Sequence, residues 1–167
     1  MKRNKRGQIK LSFGMIFSII LIIIFLGFGF YAIKTFLKIQ HTAQTGQVID
    51  KLKSDVDSVW KSTESSQEEE YSLPSKIKYV CFFDFSVSAK GKNANLYTEL
   101  KKYYYGDDNF AFYPPIGSSS SDSAEIEHLN LEEIIKEENP FCIEKTDGKV
   151  KLTLIKNIDE ALVLITE

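Results

Sequence analysis

The most pronounced hydrophobic pattern in the chain is an apolar run near its N-terminus. Residues 11–33 read LSFGMIFSIILIIIFLGFGFYAI and include no charged side chain. At a rise of about 1.5 Å per residue, a helix of this length extends roughly 35 Å, which exceeds the hydrocarbon core of a bilayer. Because the run is apolar on every side, the rest of the chain is too small to enclose it as the core helix of a soluble protein. The pattern therefore predicts a transmembrane helix over residues 11–33.

A cleaved secretory signal is the alternative interpretation of this run. The apolar region of such a signal is about 7–15 residues long and ends in a small-x-small site. Here the run is longer, and it continues through Phe28, Phe30 and Tyr31 into Lys34 without such a site. The sequence therefore favours a helix that stays in the membrane as an anchor.

A second apolar pattern, with helical spacing, follows the membrane segment. Its members recur at intervals of three and four residues and so share one helix face: Ile49, Leu52, Val56 and Val59. This spacing predicts an amphipathic stalk helix over residues 34–66 that packs on the domain after it. A coiled-coil stalk is the alternative, but so short a heptad pattern does not sustain one alone.

Beyond the stalk, the spacing changes from helical to alternating. Residues 67–75 contain three consecutive glutamates and Pro74, which predicts a linker after a solvated helix end. Apolar and polar residues then alternate from Ile77 to Val87, as in a largely covered strand. Further strands are predicted at Phe110–Tyr113 and, as a meander, at Phe141–Lys145, Lys149–Ile155 and Ala161–Thr166.

Two short helices are predicted between these strands. Asn95 is suited to cap the first helix, which ends at Gly106, and Asn130 caps the second with Glu133 in the capping-box position. The elements together predict an α+β fold. In it, a long N-terminal helix with a transmembrane half and an amphipathic half packs on a small, mainly antiparallel sheet of four or five strands. The sheet belongs to an extracytoplasmic head at residues 76–167.

The charges are distributed more unevenly than the net charge of −2 indicates. Residues 1–10 form a basic tip without any acid, and Lys34 and Lys38 follow the apolar run. Residues 39–167 carry 14 Lys and Arg against 23 Asp and Glu, a net charge of −9. Because the more positive flank of a membrane helix stays in the cytoplasm, we expect a single-pass cell-membrane protein with a cytoplasmic N-terminus and an external head.

The junction between the tip and the apolar run resembles a known processing signal. The segment KRGQ at residues 5–8 is similar to the class III signal peptide of archaeal type IV pilins and archaellins, in which a short basic leader ends in Gly and Gln often begins the mature chain. The resemblance implies cleavage between Gly7 and Gln8 by a prepilin-type peptidase, and packing of the apolar helix among like subunits in a filament. Type IV pilins often carry Glu five residues into the mature chain, where this chain has Ser12.

Two functions are consistent with this organisation. The first is a single-pass, membrane-anchored structural protein outside the cytoplasm that resembles a type IV pilin subunit. The second is an unprocessed signal-anchor protein whose head is a binding or accessory module of an envelope complex. In both, the lipid bilayer is the principal partner.

The two cysteines, Cys81 and Cys142, are the candidate covalent crosslink of the head. Disulfides persist outside the cytoplasm, and a bond between these residues would close a loop of about 60 residues, worth up to about 4 kcal/mol on the chain-entropy model. A pair of buried free thiols is the alternative interpretation.

No residue constellation in the sequence indicates catalysis. The two histidines and two cysteines match no transition-metal motif. Asp107-Asp108-Asn109 has Ca²⁺-ligating oxygens but also the composition of an ordinary turn, which we favour. A net charge of −9 on the body disfavours nucleic acid as a ligand. We expect no catalytic residues, cofactor, metal or small-molecule substrate.

The aromatic run Tyr103-Tyr104-Tyr105 is the candidate contact surface of the head. Consecutive residues cannot all face one core, so at least one ring is expected to be exposed to other subunits, glycans or an adhesion target. Packing in the core and at its rim is the other interpretation, which we favour.

Overall fold

The residues that the structure describes, 13–104, 106–116 and 122–167 of a computed structural model, form three helices and seven strands. In chain order these elements are α1 (Phe13–Trp60), β1 (Ser65–Ser72), β2 (Tyr79–Phe82), α2 (Ala94–Tyr103), β3 (Phe110–Tyr113), β4 (Ser123–Ala124), α3 (Leu131–Ile134), β5 (Phe141–Glu144), β6 (Lys149–Lys156) and β7 (Leu164–Thr166). Contacts divide the chain into two units, Met1–Ile39 and Gln40–Glu167.

In the first unit, the described chain is the N-terminal part of α1. No proline interrupts α1, and Ser18 donates its hydroxyl hydrogen to the Gly14 carbonyl at 2.8 Å, so this polar side chain is satisfied within the helix. The predicted long N-terminal helix is confirmed. Residues 11 and 12 of the predicted membrane segment lie outside the described residues.

In the second unit, α1 packs on the sheets through the predicted apolar stripe, and Ile49, Leu52, Val56 and Val59 are all buried. The helix ends at Trp60, earlier than the predicted residue 66. Its last turn closes when Ser62 donates both its backbone N–H and its hydroxyl to the Val59 carbonyl.

The strands form two antiparallel sheets instead of one. The first sheet has the order β1-β6-β7, and the second has the order β4-β3-β2-β5. The long helix packed against these small antiparallel sheets confirms the predicted α+β fold.

The predicted linker at residues 67–75 is largely a strand, because β1 covers Ser65–Ser72 and pairs along its whole length with β6. Its three glutamates are not merely solvated. Glu70 pairs with Lys149 at 2.7 Å and Glu68 with Lys151 at 3.5 Å, both on β6. Opposite charges on neighbouring strands stabilise a sheet, so the acidic run is compatible with a strand here.

All three strands of the predicted meander exist, but only one of its two pairings is present: β6 pairs with β7 as predicted, whereas β5 does not pair with β6. β5 pairs with β2 in the second sheet, whereas β6 pairs with β1 and β7 in the first. Asp147 and Gly148 turn the chain between them, both with positive φ, of 51° and 82°. The turn therefore connects two sheets instead of two neighbours in one.

The second sheet has an apolar cluster on each face. Val80, Phe82 and Phe110 lie in the main core with α1 and the first sheet, whereas Cys81 and Ala111 lie in a smaller cluster beneath α2. Burial on both faces explains why the strand around residue 80 is apolar at consecutive positions.

The two short helices are present with shifted bounds. The N-cap of α2 is Asn93 instead of Asn95, and α2 ends at Tyr103, before Gly106. For α3, the Asn130 side chain accepts a hydrogen bond from the Glu133 backbone N–H at 3.3 Å, which confirms the predicted cap.

Candidate functional site

The surface of the first unit is the most unusual feature of the chain. From Phe13 to Ile39 its large apolar side chains are exposed on every side of the helix. Among the described residues, α1 is the one helix long and apolar enough to cross a membrane. Contacts among the described residues therefore leave this apolar surface uncovered.

The proposed cleavage site precedes this helix. Gly7 and Gln8 lie outside the described residues, so their placement gives no information on processing.

Cys81 and Cys142 lie directly opposite each other on β2 and β5, and the structure joins them by a disulfide with an S–S distance of 2.06 Å. Leu96 and Leu100 of α2 cover the bond, and both cysteines are buried. Because both sulfurs are bonded to each other, neither is a thiolate nucleophile. The bond therefore acts as a crosslink within the second sheet.

The three tyrosines of the aromatic run do not form one contact surface. Tyr103 is 53% exposed, but Tyr104 is buried, and its hydroxyl donates to the Phe112 carbonyl at 2.8 Å. Burial, with a contribution from Asp122, raises the pKa of the Tyr104 phenol far above its usual value. Tyr104 is thus a core residue, and its prediction as an exposed contact residue is wrong. Tyr105 lies outside the described residues.

An aromatic cluster that the sequence analysis did not identify lies beside α2. The Tyr97 hydroxyl donates to the carbonyls of Phe85 at 3.0 Å and Val87 at 2.9 Å, and the Phe85 and Tyr97 rings meet edge to face. The Lys101 ammonium lies over both rings, 5.8 and 5.7 Å from their centroids. No local sequence signal joins residues 85 and 97, because most of the loop between β2 and α2 separates them.

A second aromatic contact, also missed from the sequence, connects the end of α1 to later loops. The Trp60 and His128 rings stack at 3.7 Å, and the Trp60 indole N–H donates to the Ala161 carbonyl at 3.0 Å. These contacts anchor the turn at residue 128 and the loop before β7 to the helix.

In the segment Asp107-Asp108-Asn109, the side chains of Asp108 and Asn109 form hydrogen bonds to other parts of the head. Asp108 accepts a hydrogen bond from the Ser123 hydroxyl, and the Asn109 amide pairs with the backbone N–H and carbonyl of Ile126 at 2.8 and 2.9 Å. In the described part of the chain, no three His, Cys, Asp or Glu side chains are grouped to hold a metal ion.

The helix α1 and the first sheet are connected by a charged network. The Tyr71 hydroxyl donates to Asp55 at 2.7 Å, and Lys51 pairs with Glu69 at 2.7 Å while its ammonium lies over the Tyr71 ring. The hydrogen bond to Glu69 raises the pKa of Lys51, and burial raises the pKa of Tyr71. The network therefore keeps Lys51 charged and Tyr71 neutral, which suits a structural contact.

Comparisons with protein-family models, curated proteins and solved structures found no match for this chain.

Proposed function

We propose that this protein is a single-pass, membrane-anchored structural protein whose head lies outside the cytoplasm, and that it resembles a type IV pilin subunit. The observation that carries the proposal is the uncovered apolar surface of α1 from Phe13 to Ile39. Exposed apolar surface of this extent is costly in water and favourable in lipid. In this proposal the helix anchors the chain, and the head presents a surface without catalytic activity.

The proposed orientation has two independent supports. The basic tip favours a cytoplasmic N-terminus. The Cys81–Cys142 disulfide favours an oxidising compartment for the head, because cytosolic thiols are kept reduced.

Thiol trapping in intact cells tests the side of the membrane on which the head lies. A polyethylene-glycol maleimide added at lysis, under denaturing conditions, should shift the chain only after reduction, because Cys81 and Cys142 are its only cysteines. The Cys81→Ser/Cys142→Ser variant is the control and should never shift. A wild-type chain that is fully labelled without a reductant would place the head in the cytoplasm.

Membrane association and processing are tested on the same material. We expect the chain to remain in the membrane fraction after alkaline extraction, and its intact mass to match a chain beginning at Gln8. A chain that retains Lys2–Gly7 would contradict the pilin-like route.

A retained leader would support the alternative proposal, in which an unprocessed anchor holds the head as an accessory module of an envelope complex. Ser12, which stands where pilins often carry Glu, and Lys10 in the first mature turn weigh against assembly into a filament and so also favour this alternative.

A further inference from the structure

The last two turns of the first unit differ from the described helix before them, residues 13–33, because they carry positive charge. Lys34 and Lys38 are exposed and lie one helical turn apart, so they share one face of α1. Neither ammonium group forms an ion pair or a hydrogen bond within the part of the chain that the structure describes. Their charges are therefore available to a partner.

The opposite face of the same two turns is apolar. Phe36 is 67% exposed and Ile39 is 62% exposed, and their helical spacing sets them, with Ala32, nearly opposite the two lysines. A short helical segment that is basic on one side and apolar on the other is typical of the membrane interface.

The length of the helix places this segment at the edge of a bilayer. At about 1.5 Å per residue, Phe13–Ile33 extends roughly 31 Å, which fills a hydrocarbon core of about 30 Å. Continuing to Ile39 adds roughly 9 Å, which carries Lys34 and Lys38 through the headgroup layer. With Phe13–Ile33 in the hydrocarbon core, both lysines would lie at the depth of the headgroups and their phosphates.

We propose that Lys34 and Lys38 form a binding site for the phosphate groups of anionic membrane lipids, a proposal that rests on the anchoring role given above. The flexible lysine stems let both ammonium groups reach the phosphate layer, while Phe36 and Ile39 lie on the opposite side of the helix in the interfacial region. The pair fixes the depth of the helix and enriches anionic lipid around it.

The test measures which lipid the full chain prefers after reconstitution into phosphatidylcholine vesicles. Electron paramagnetic resonance gives the immobilised fraction of spin-labelled phosphatidylglycerol and of spin-labelled phosphatidylcholine. We expect a preference for phosphatidylglycerol that falls in Lys34→Gln/Lys38→Gln by roughly fivefold for each lysine removed, the factor given by one lysine near an anionic surface. Lys53→Gln/Lys76→Gln removes the same charge from exposed lysines elsewhere and should keep the wild-type preference.

Two further measurements distinguish a lipid site from a site for free anions. Lys34→Arg/Lys38→Arg should retain the preference for phosphatidylglycerol, because it keeps both charges. Inorganic phosphate should reduce the preference no more than chloride at equal ionic strength. A stronger effect of phosphate would overturn a lipid site in favour of a free-anion site.

The failure of this site and the failure of the anchor give different results. If the wild-type chain floats with the vesicles but associates equally with both lipids, or if the double glutamine variant keeps the full preference, the lipid site is overturned and the anchor stands. If the wild-type chain does not float with the vesicles at all, the anchoring role itself is overturned.

Discussion

At the scale of single residues, two adjacent tyrosines at the end of α2 have opposite environments. Tyr103 is half exposed, whereas the buried Tyr104 donates its hydroxyl hydrogen to the Phe112 carbonyl. Burial, together with Asp122 and Asp108, raises the pKa of Tyr104 in the folded state. A tyrosine in the unfolded chain ionises near its usual pKa of about 10. The folded state is therefore most stable when the Tyr104 phenol is neutral.

This difference predicts a loss of stability at alkaline pH. Above about pH 10 the unfolded chain releases the Tyr104 proton and the folded chain retains it, so the free energy of unfolding falls with rising pH by about 1.4 kcal/mol per pH unit for this group. Tyr104→Phe should make the free energy of unfolding fall less steeply with pH, because it removes the contribution of this phenol. Guanidinium unfolding in detergent between about pH 9 and 11 measures the change. Tyr103→Phe is the matched control. An unchanged slope in Tyr104→Phe would contradict the assignment.

Asn139 is a second residue whose role is visible only in the structure. It is fully buried, and its amide donates to the carbonyls of Asp84 at 2.8 Å and Val87 at 3.1 Å while its oxygen accepts from the Asp84 backbone N–H at 3.2 Å. The side chain thereby fixes the loop that follows β2.

Removal of this amide should destabilise the head strongly. We expect Asn139→Ala to lower the free energy of unfolding by about 2–4 kcal/mol, because buried backbone groups of the loop lose their partner. Asn95 is exposed, and its side chain forms no hydrogen bond among the described residues, so Asn95→Ala should change the free energy of unfolding by less than about 0.5 kcal/mol. Chemical denaturation of the full chain in detergent measures both, and equal effects would refute the role of Asn139.

At the scale of elements, Gly46 and Gly91 differ in whether the fold leaves room for a side chain. Gly46 lies inside α1, and nothing comes within 4 Å of the position that a Cβ would take. Gly91 precedes α2 with a φ of +78°, and a Cβ there would lie 2.9 Å from the Glu138 Cα. The first glycine therefore has no steric requirement, whereas the second is required by both its conformation and a close backbone approach.

Alanine at these two positions should change stability in opposite directions. Gly46→Ala should raise the free energy of unfolding by about 0.5–1 kcal/mol through helix propensity. Gly91→Ala should lower it by about 1–3 kcal/mol through backbone strain, and by more if the Glu138 backbone cannot move. Parallel denaturation curves of the two variants make the comparison, and a stabilising Gly91→Ala would show that the loop conformation is wrong.

Elements with a strong local signal were predictable from sequence. The stripe on α1, the strand Phe110–Tyr113 and the Asn130 cap all follow from spacing and side-chain chemistry within a few residues. β1 was not predictable, because Glu68, Glu69 and Glu70 have low strand propensity, and the lysines that offset their charge lie on α1 and β6. Pairing of β5 with β2 likewise depends on contacts distant in sequence.

The candidate sites show the same division between local and distant information. The even number of cysteines and the predicted compartment of the head were enough to suggest the Cys81–Cys142 pair. The environments of Tyr103 and Tyr104 were not predictable, because the residues that bury Tyr104 come from β2 and β3 as well as from α2. The stacking of Trp60 on His128 was not predictable either, since it depends on where the loops cross the end of α1.

At the scale of the whole molecule, the anchor and the head should be separable by mutation. Arginine at the centre of a membrane helix costs about 2.5–3.5 kcal/mol per residue for insertion, so Ile20→Arg/Ile23→Arg should move the chain out of the alkali-resistant membrane fraction. Ile158→Arg, at a head residue that is 66% exposed, should leave the chain in that fraction.

Neither of these two variants touches the core of the head, so folding of the head should be unchanged wherever its disulfide can form. Cys81 and Cys142 should remain disulfide-bonded in every chain whose head has crossed the membrane. The near-ultraviolet circular dichroism spectrum of the head should be retained in detergent. If Ile20→Arg/Ile23→Arg stays fully in the membrane, the assignment of this segment as the anchor fails.

The disulfide also determines how the chain responds to mechanical load. The bond joins residues separated by 61 positions, and α2, β3, β4 and α3 all lie inside the loop that it closes. When a pull acts between an embedded N-terminal helix and a ligand held near the C-terminus, the oxidised protein cannot release that enclosed chain. Its fully extended length is roughly 200 Å at about 3.4 Å per residue. The oxidised protein should therefore extend by roughly 200 Å less under load than the reduced protein.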